Sequence, residues 1–192
     1  MSSRIDPIEP GEAADEEVEA ILRESREGWY RDSAYFGAVA HRPRLLKRLV
    51  ATFRLFGRGD VVDAELLELM RLRVAAVHRC AYCSTVRTWA VREAVEPKED
   101  AVFADEIDAT LLTRREELAV RLADYVSRDP QTMSDEFFAA LRTEFDDATI
   151  VELLLFAALE VGLDRFCIAL RLDTTDESPY PTGLEYPFDP DE

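Results

Sequence analysis

The stretch ELMRLRVAAVHRCAYCSTVRT, residues 68–88, decides how the rest of the chain is read. Its first half continues a run that Asp63 can cap, in which Leu66, Leu67, Leu69, Met70, Leu72, Val74 and Val77 leave few polar positions. That is the pattern of a helix buried on most sides. The second half sets Cys80 and Cys83 three residues apart at the start of a helix expected from about Ala81 to Val95, where Pro97 marks its end. Three residues apart, the two thiols share a face and are close enough to bridge. In a first helical turn, unsatisfied N–H groups and the positive end of the dipole favour thiolate over thiol. Arg87, four residues beyond Cys83 on that face, adds a permanent charge but cannot serve as a base. Glu68 shares an apolar stripe with Leu72 and Ala75, where a carboxylate needs a partner, and antiparallel packing of the two helices makes Arg87 the candidate counterion.

Helical spacing extends outward in both directions. Val18, Ile21 and Leu22, then the aromatic and small residues of WYRDSAYFGAVA, fit a short helical pair after Asp15. Pro43 suits the first turn of a helix whose stripe is Leu45, Leu46, Leu49 and Phe53, broken by Gly57 and Gly59. Thr113 and Glu116 form a capping-box pattern ahead of Leu118, Leu122 and Val126. Ser134 can cap the next helix, and Asp146 or Asp147 the long one that runs through Leu172. No strand pattern appears, so the chain reads as all-α, a compact multi-helix bundle. Residues 1–14 read as a flexible acidic lead-in, 15–172 as one domain, and 173–192 as a Pro-rich acidic tail. Tyr180, Leu184, Tyr186 and Phe188 make that tail either a disordered end or an arm laid on the core or a neighbouring subunit.

A net charge of -17 over 192 residues argues against nucleic acid and anionic membranes as partners. Only Lys47 and Lys98 of the 23 basic residues are lysine, a bias that carries no chemistry. The N-terminus has no apolar signal core, and the longest apolar run, Leu153 to Leu159, is far short of the roughly 20 residues that span a bilayer. A cytoplasmic protein is expected, where a close cysteine pair points to redox work or metal. Zinc needs about four ligands. His78 stands two residues from Cys80, His41 is isolated, and Cys167 between Phe166 and Ile168 reads as core. No metal and no cofactor is therefore expected, while two inert buried cysteines stay open as the plainer reading.

These residues resemble the alkylhydroperoxidase D and carboxymuconolactone decarboxylase family, from about Ala34 to Val95 and again through SDEFFAALRTEFDDATIVELLLFAALEVGLDRF, which is similar to its closing helices. The specific part is a glutamate, eleven residues and then Cys-x-x-Cys, matched by Glu68, Cys80 and Cys83. The resemblance implies an all-α fold of the alkylhydroperoxidase D-like type with the redox pair at a helix N-terminus, assembled into homo-oligomers. In the cysteine-bearing branch it implies a thiol peroxidase that takes a hydroperoxide or disulfide substrate and a dithiol electron donor. Carried over, Cys83 is peroxidatic and Cys80 resolving. Where that branch usually has a histidine in a proton relay, this chain has Arg87, so the proton for the leaving oxygen falls to Glu68, Tyr82, His78 or water. The lactone-decarboxylating branch generally lacks the pair and matches less well. The competing reading is a non-catalytic or redox-sensing helical oligomer. Oxidation is expected to join Cys80 to Cys83 and leave Cys167 apart. An oligomer is also expected because the helix over 63–79 is apolar around most of its circumference.

Overall fold

Asp15 accepts hydrogen bonds from the backbone N–H groups of Glu17 and Val18 and so starts α1 (Glu16–Glu24). The structure, a computed structural model, describes residues 3–57 and 62–187. Val18, Ile21 and Leu22 are buried along α1, as their spacing predicts. A turn of π-helix over Ser25–Trp29 leads to α2 (Ala34–Ala40) and then α3 (Pro43–Phe53), which has its proline in the first turn. On α3 the buried residues are Leu46 and Val50, while Leu45 of the expected stripe is 61% exposed. Gly57 has a left-handed φ of 68°, in line with its expected role as a breaker, and Gly59 lies outside the described residues.

Helix α4 (Ala64–His78) begins where expected, Asp63 accepting from the Leu66 N–H at 2.8 Å. Ten consecutive residues, Leu66 to Ala75, are buried, including the charged Glu68, Arg71 and Arg73. Burying charge is tolerable only with partners. Arg71 grips Glu68 with two bonds, 2.8 and 2.6 Å, and Arg73 reaches Asp124 and the carbonyls of Val102, Ala104 and Asp105. The ground for expecting an oligomer, an uncovered α4, is thereby removed. The large apolar side chains that do face solvent include Leu45, Leu55, Val151 and Leu155.

The helix expected over 81–95 is not continuous. It is α5 (Ala81–Thr85), ended by an extended Val86 (φ -78°, ψ 152°), followed by a 3-10 turn over Trp89–Val91 and α6 (Arg92–Val95). The β-branched run Thr85, Val86 and Thr88 loses rotamer freedom in a helix. Helix α7 (Glu99–Phe103) follows a 3-10 turn that contains Pro97. The capping box of Thr113 and Glu116 then opens α8 (Arg114–Arg128), and Ser134 caps α9 (Asp135–Glu144). Asp146, not Asp147, caps α10 (Asp147–Leu170), through the Thr149 N–H at 2.8 Å. At its far end Arg171 takes a left-handed φ of 48°, with Leu172 N–H bonded to Cys167 O and Arg171 N–H to Ile168 O. This is a Schellman stop two residues short of the expected end, with the apolar Leu172 fully buried.

The described chain is all-α. It packs as two compact units, one taking the chain up to residue 55 with 79–90 and the chain from 166 on, the other 56–78 with 91–165. In the second unit Met70 and Val74 of α4 pack with Leu118 and Leu122 of α8, Leu141, Leu153 and Phe156, while Leu69 and Leu72 face Val95, Val102 and Val120. In the first unit α1, α2 and α3 pack on one another. The lead-in expected to be flexible is held there, by Arg4 N–H on Leu170 O, Ile8 N–H on Gly37 O and Gly11 N–H on the Glu19 carboxylate. Gly37 permits this, because a Cβ there would stand 2.5 Å from Ile8 O. Among the described residues no helix is long and apolar enough to cross a membrane.

Candidate functional site

The cysteines enter through a change of backbone hand. Arg79 adopts a left-handed φ of 53° just past α4, and Cys80 is then extended (φ -82°, ψ 106°), the conformation of an N-cap. Its Sγ accepts from the Cys83 N–H at 3.4 Å. The thiol thus does the work usually given to a serine or aspartate oxygen, and Cys83 is placed one turn on. Cys80 is fully buried and Cys83 only 8% exposed.

Burial pushes the Cys83 thiol well above its ordinary range, helped by hydrogen bonds to the thiols of Cys167 and Cys80. The dipole argument anticipated the reverse. A helix of five residues offers little dipole, and removal from water disfavours the charged form regardless of a few aligned amides. Cys167 is core, as its apolar flanks suggest, but its neighbour in that core is Cys83.

Tyr82, between the two cysteines, is committed elsewhere. Its hydroxyl donates to Asp32 Oδ1 at 2.7 Å and accepts from the Tyr35 N–H at 3.3 Å. Burial and the adjoining Asp32 carboxylate raise its pKa well above the phenol range, so it holds its proton. Asp32, itself fully buried, also accepts from the Ala34 N–H and from the N–H and hydroxyl of Thr175. One carboxylate therefore ties α2, α5 and the segment after α10 together.

That segment is an arm over the thiols. Asp173 accepts from the Gly183 and Leu184 N–H groups, and Thr174 donates to Pro181 O, folding the chain back. Tyr186 then donates to Leu172 O at 2.8 Å and accepts from the Tyr82 N–H at 3.1 Å. Its phenol lies beside Cys80, and burial followed by that thiol raises its pKa. Tyr180 accepts from the Arg87 N–H at 3.0 Å. Leu184 is half-buried, and Phe188 lies outside the described residues.

Arg87 does not stand one turn along the cysteine helix, because α5 has already ended. Its guanidinium donates to Ser84 O at 2.7 Å and Val86 O at 3.0 Å, capping the negative end of that helix. Replacing Arg87 with Met is accordingly expected to cost about 1–2 kcal/mol, a fall in melting temperature of about 2–8 °C. Calorimetry beside an alkylation assay checks this. If Cys83 instead alkylates several-fold more slowly with the melting temperature unchanged, Arg87 holds a thiolate.

Glu68 is paired with Arg71, three residues along its own helix. His78 places Nδ1 3.4 Å from Asp164 Oδ2 and Nε2 3.4 Å from Ser127 O. Of the side chains considered as proton donors, Glu68 and Tyr82 are thus bound to Arg71 and Asp32. His78 keeps an imidazole beside a buried carboxylate. Sequence reasoning missed Asp32 and Asp164, which look like ordinary acidic residues in a strongly acidic chain.

No family model and no curated protein matches the sequence. Solved structures do. An alkylhydroperoxidase AhpD core, an uncharacterized peroxidase-related protein from Ralstonia eutropha JMP134, aligns with a TM-score of 0.70 at 19% identity, covering 92% of this chain and 94% of that one. A peroxidase-related protein from Silicibacter sp. TM1040 gives 0.66 at 16%, with 91% and 90% covered. A cysteine-to-alanine variant of the debrominase Bmp8, in complex with 2,3,4-tribromopyrrole, gives 0.71 at 17%, with 92% and 94% covered. At these identities the likeness is one of architecture, and it agrees with what Glu68, Cys80 and Cys83 imply: the chain has the alkylhydroperoxidase D-like fold.

Proposed function

We propose that this chain is a thiol-disulfide oxidoreductase working through Cys80 and Cys83, in a peroxide-reducing form. The observation that supports it is the placement of both thiols in one turn, Cys80 Sγ accepting from the Cys83 N–H, within a fold shared with peroxidase-related proteins. The Cys83 thiolate attacks an oxygen of the hydroperoxide, the O–O bond breaks, and the alcohol leaves with a proton. The resulting sulfenic acid condenses with the Cys80 thiol, forming the disulfide and releasing water. A dithiol donor returns the pair to thiols by exchange. Tyr82 is not the proton source, since its hydroxyl is bound to Asp32. Homo-oligomeric assembly belongs to the same proposal, with Val151 and Leu155, one turn apart on α10, as apolar residues available to it.

The burial of both thiols favours a second reading, a redox-responsive protein whose disulfide alters packing without turnover. Mixing reduced protein with an alkyl hydroperoxide and counting thiols separates the two. The peroxidase form is expected to lose two thiols per chain, regain them with a dithiol reductant and repeat the cycle, and Cys83→Ser to lose none. One round without repetition supports the sensor. Retention of all thiols in the wild type excludes both. The debrominase neighbour makes a halogenated pyrrole worth including beside the peroxide, as an electrophile for the same thiolate.

A further inference from the structure

We propose that the outer face of α10 is a self-pairing surface, on which a second copy of this chain lays its own α10 antiparallel about a two-fold axis. The inference rests on the homo-oligomeric part of the reading above, to which it gives a surface and a geometry, and it needs no thiol chemistry.

From Ala148 to Gly162 every exposed residue of α10 is apolar: Ala148, Val151, Leu155, Ala158 and Gly162. Val151 is 64% exposed and Leu155 54%. A Cβ added at Gly162 would meet nothing within 4 Å, so the face is open there. Glu152, a half-buried charge at its margin, is turned to the Gly57 N–H, which it accepts at 3.1 Å. The result is a strip about 21 Å long without an exposed charge, on a chain of net charge -17. So acidic a chain repels its own copies over most of its surface, and least along this strip.

The order of residues along the strip selects the occupant. Its members are spaced by three, four, three and four residues, and three more lead to the exposed Arg165. That is the spacing of a coiled-coil seam. With the two-fold axis between Phe156 and Ala157, an antiparallel pair sets Leu155 opposite the partner's Ala158 and Val151 opposite the partner's Gly162. Each of these layers joins a large side chain to a small one, so the backbones can approach closely without a void. The charges agree with the sizes. Asp146 and Asp147 are exposed at the start of α10, the latter beside the exposed Arg142, and Arg165 stands at the other end of the seam. Antiparallel pairing brings the Arg165 of each copy to the acidic start of the other, and opposes the helix dipoles favourably. Parallel pairing would set Arg165 against Arg165 and leave a hollow where two glycines meet. A lipid surface or an unrelated protein has no need of this alternation.

The test uses full-length protein kept reduced by a dithiol. Sedimentation at tens of micromolar is expected to show a dimer. Leu155→Glu, at an exposed position, should keep the helical circular dichroism of the wild type and weaken the dimer about 100-fold. Arg165→Lys keeps the charge and the dimer, and a water-soluble carbodiimide should then join the new amine to Asp147. Within one chain the two positions lie about 27 Å apart along the helix, so this linked peptide pair forms only between antiparallel copies. A wild type that stays monomeric, a dimer indifferent to Leu155→Glu, or a dimer in which the amine links elsewhere would each overturn the proposal. A monomer that floats with neutral phospholipid vesicles would overturn it too, giving the strip to lipid. Thiol counts after alkyl hydroperoxide report on the oxidoreductase reading alone, and a peroxide-inert dimer carrying the Asp147 link would sink that reading and leave the self-pairing standing.

Discussion

Asp32→Ala is expected to destabilise the protein by about 3–5 kcal/mol, lowering the melting temperature by about 10 °C or more. The residue is completely buried and accepts from the Ala34 N–H at 2.9 Å, the Tyr82 hydroxyl at 2.7 Å, and the Thr175 N–H and hydroxyl at 2.8 and 3.2 Å. Alanine leaves all four donors facing a dry hollow. Because the loss is of paired donors and not of a surface charge, it is not screened away by salt. The consequence extends to the thiols, since Tyr82 lies between them and Thr175 roots the arm. Alkylation of Cys80 and Cys83 should quicken in the same variant. Asp32→Asn, which keeps one carbonyl oxygen, should lose less. A thermal midpoint for Asp32→Ala within 2 °C of the wild type would show that water serves the four donors adequately.

Much of this fold is legible in the residues. Val18, Ile21 and Leu22 announce α1, the capping box announces α8, and Asp63 and Ser134 sit where their helices begin, because caps and apolar spacing are local properties of the chain. What fails is the extent of the cysteine helix. Its apolar spacing continues from Ala81 to Val95, yet the backbone leaves the helix at Val86. The arm supplies an acceptor for the Arg87 N–H there, and the Arg87 side chain caps the carbonyls left behind. An acceptor from a tyrosine so far along the chain leaves no trace in a local pattern.

The candidate site divides in the same way. Cys80 and Cys83 announce themselves by spacing. Cys167 does not, because a cysteine between Phe166 and Ile168 is a core residue by every local criterion, and nothing in the chain's order shows that the core around it contains another thiol. Electrostatic reasoning from the helix start reached the wrong sign for Cys83, since it weighed the dipole and left out the cover. Cys80 is fully buried and Cys83 nearly so, and the arm's Tyr186 accepts from the Tyr82 N–H between them. A tail with four prolines and no periodicity gives no sign of being ordered by Asp173 and two tyrosine hydroxyls.

The arm's Tyr186 accepts from the backbone N–H of Tyr82, the residue next to both Ala81 and Cys83. Tyr186→Ala is expected to raise the alkylation rate of the cysteine pair at pH 7 at least tenfold. An ordinary thiol of pKa about 8.5 is roughly 3% thiolate at that pH, and each unit of upward shift divides the fraction by ten. Burial sets the upward shift of Cys83, and the Tyr186 phenol lies beside Cys80 with its hydroxyl bridging Leu172 O and the Tyr82 N–H. Removing the ring admits water to the sulfurs and lowers the pKa toward the ordinary value. In the wild type the protonated form is favoured, so the alkylation rate should climb about tenfold per pH unit and not level off by pH 9. In Tyr186→Ala it should flatten near pH 8.5–9, once the exposed thiol is largely ionised. Tyr186→Phe keeps the ring but loses both hydrogen bonds, and should fall between. Identical rate profiles for all three proteins would mean that the arm already opens faster than the reagent attacks. The buried thiol would then be one state in a rapid exchange, and substrate access would need no further trigger.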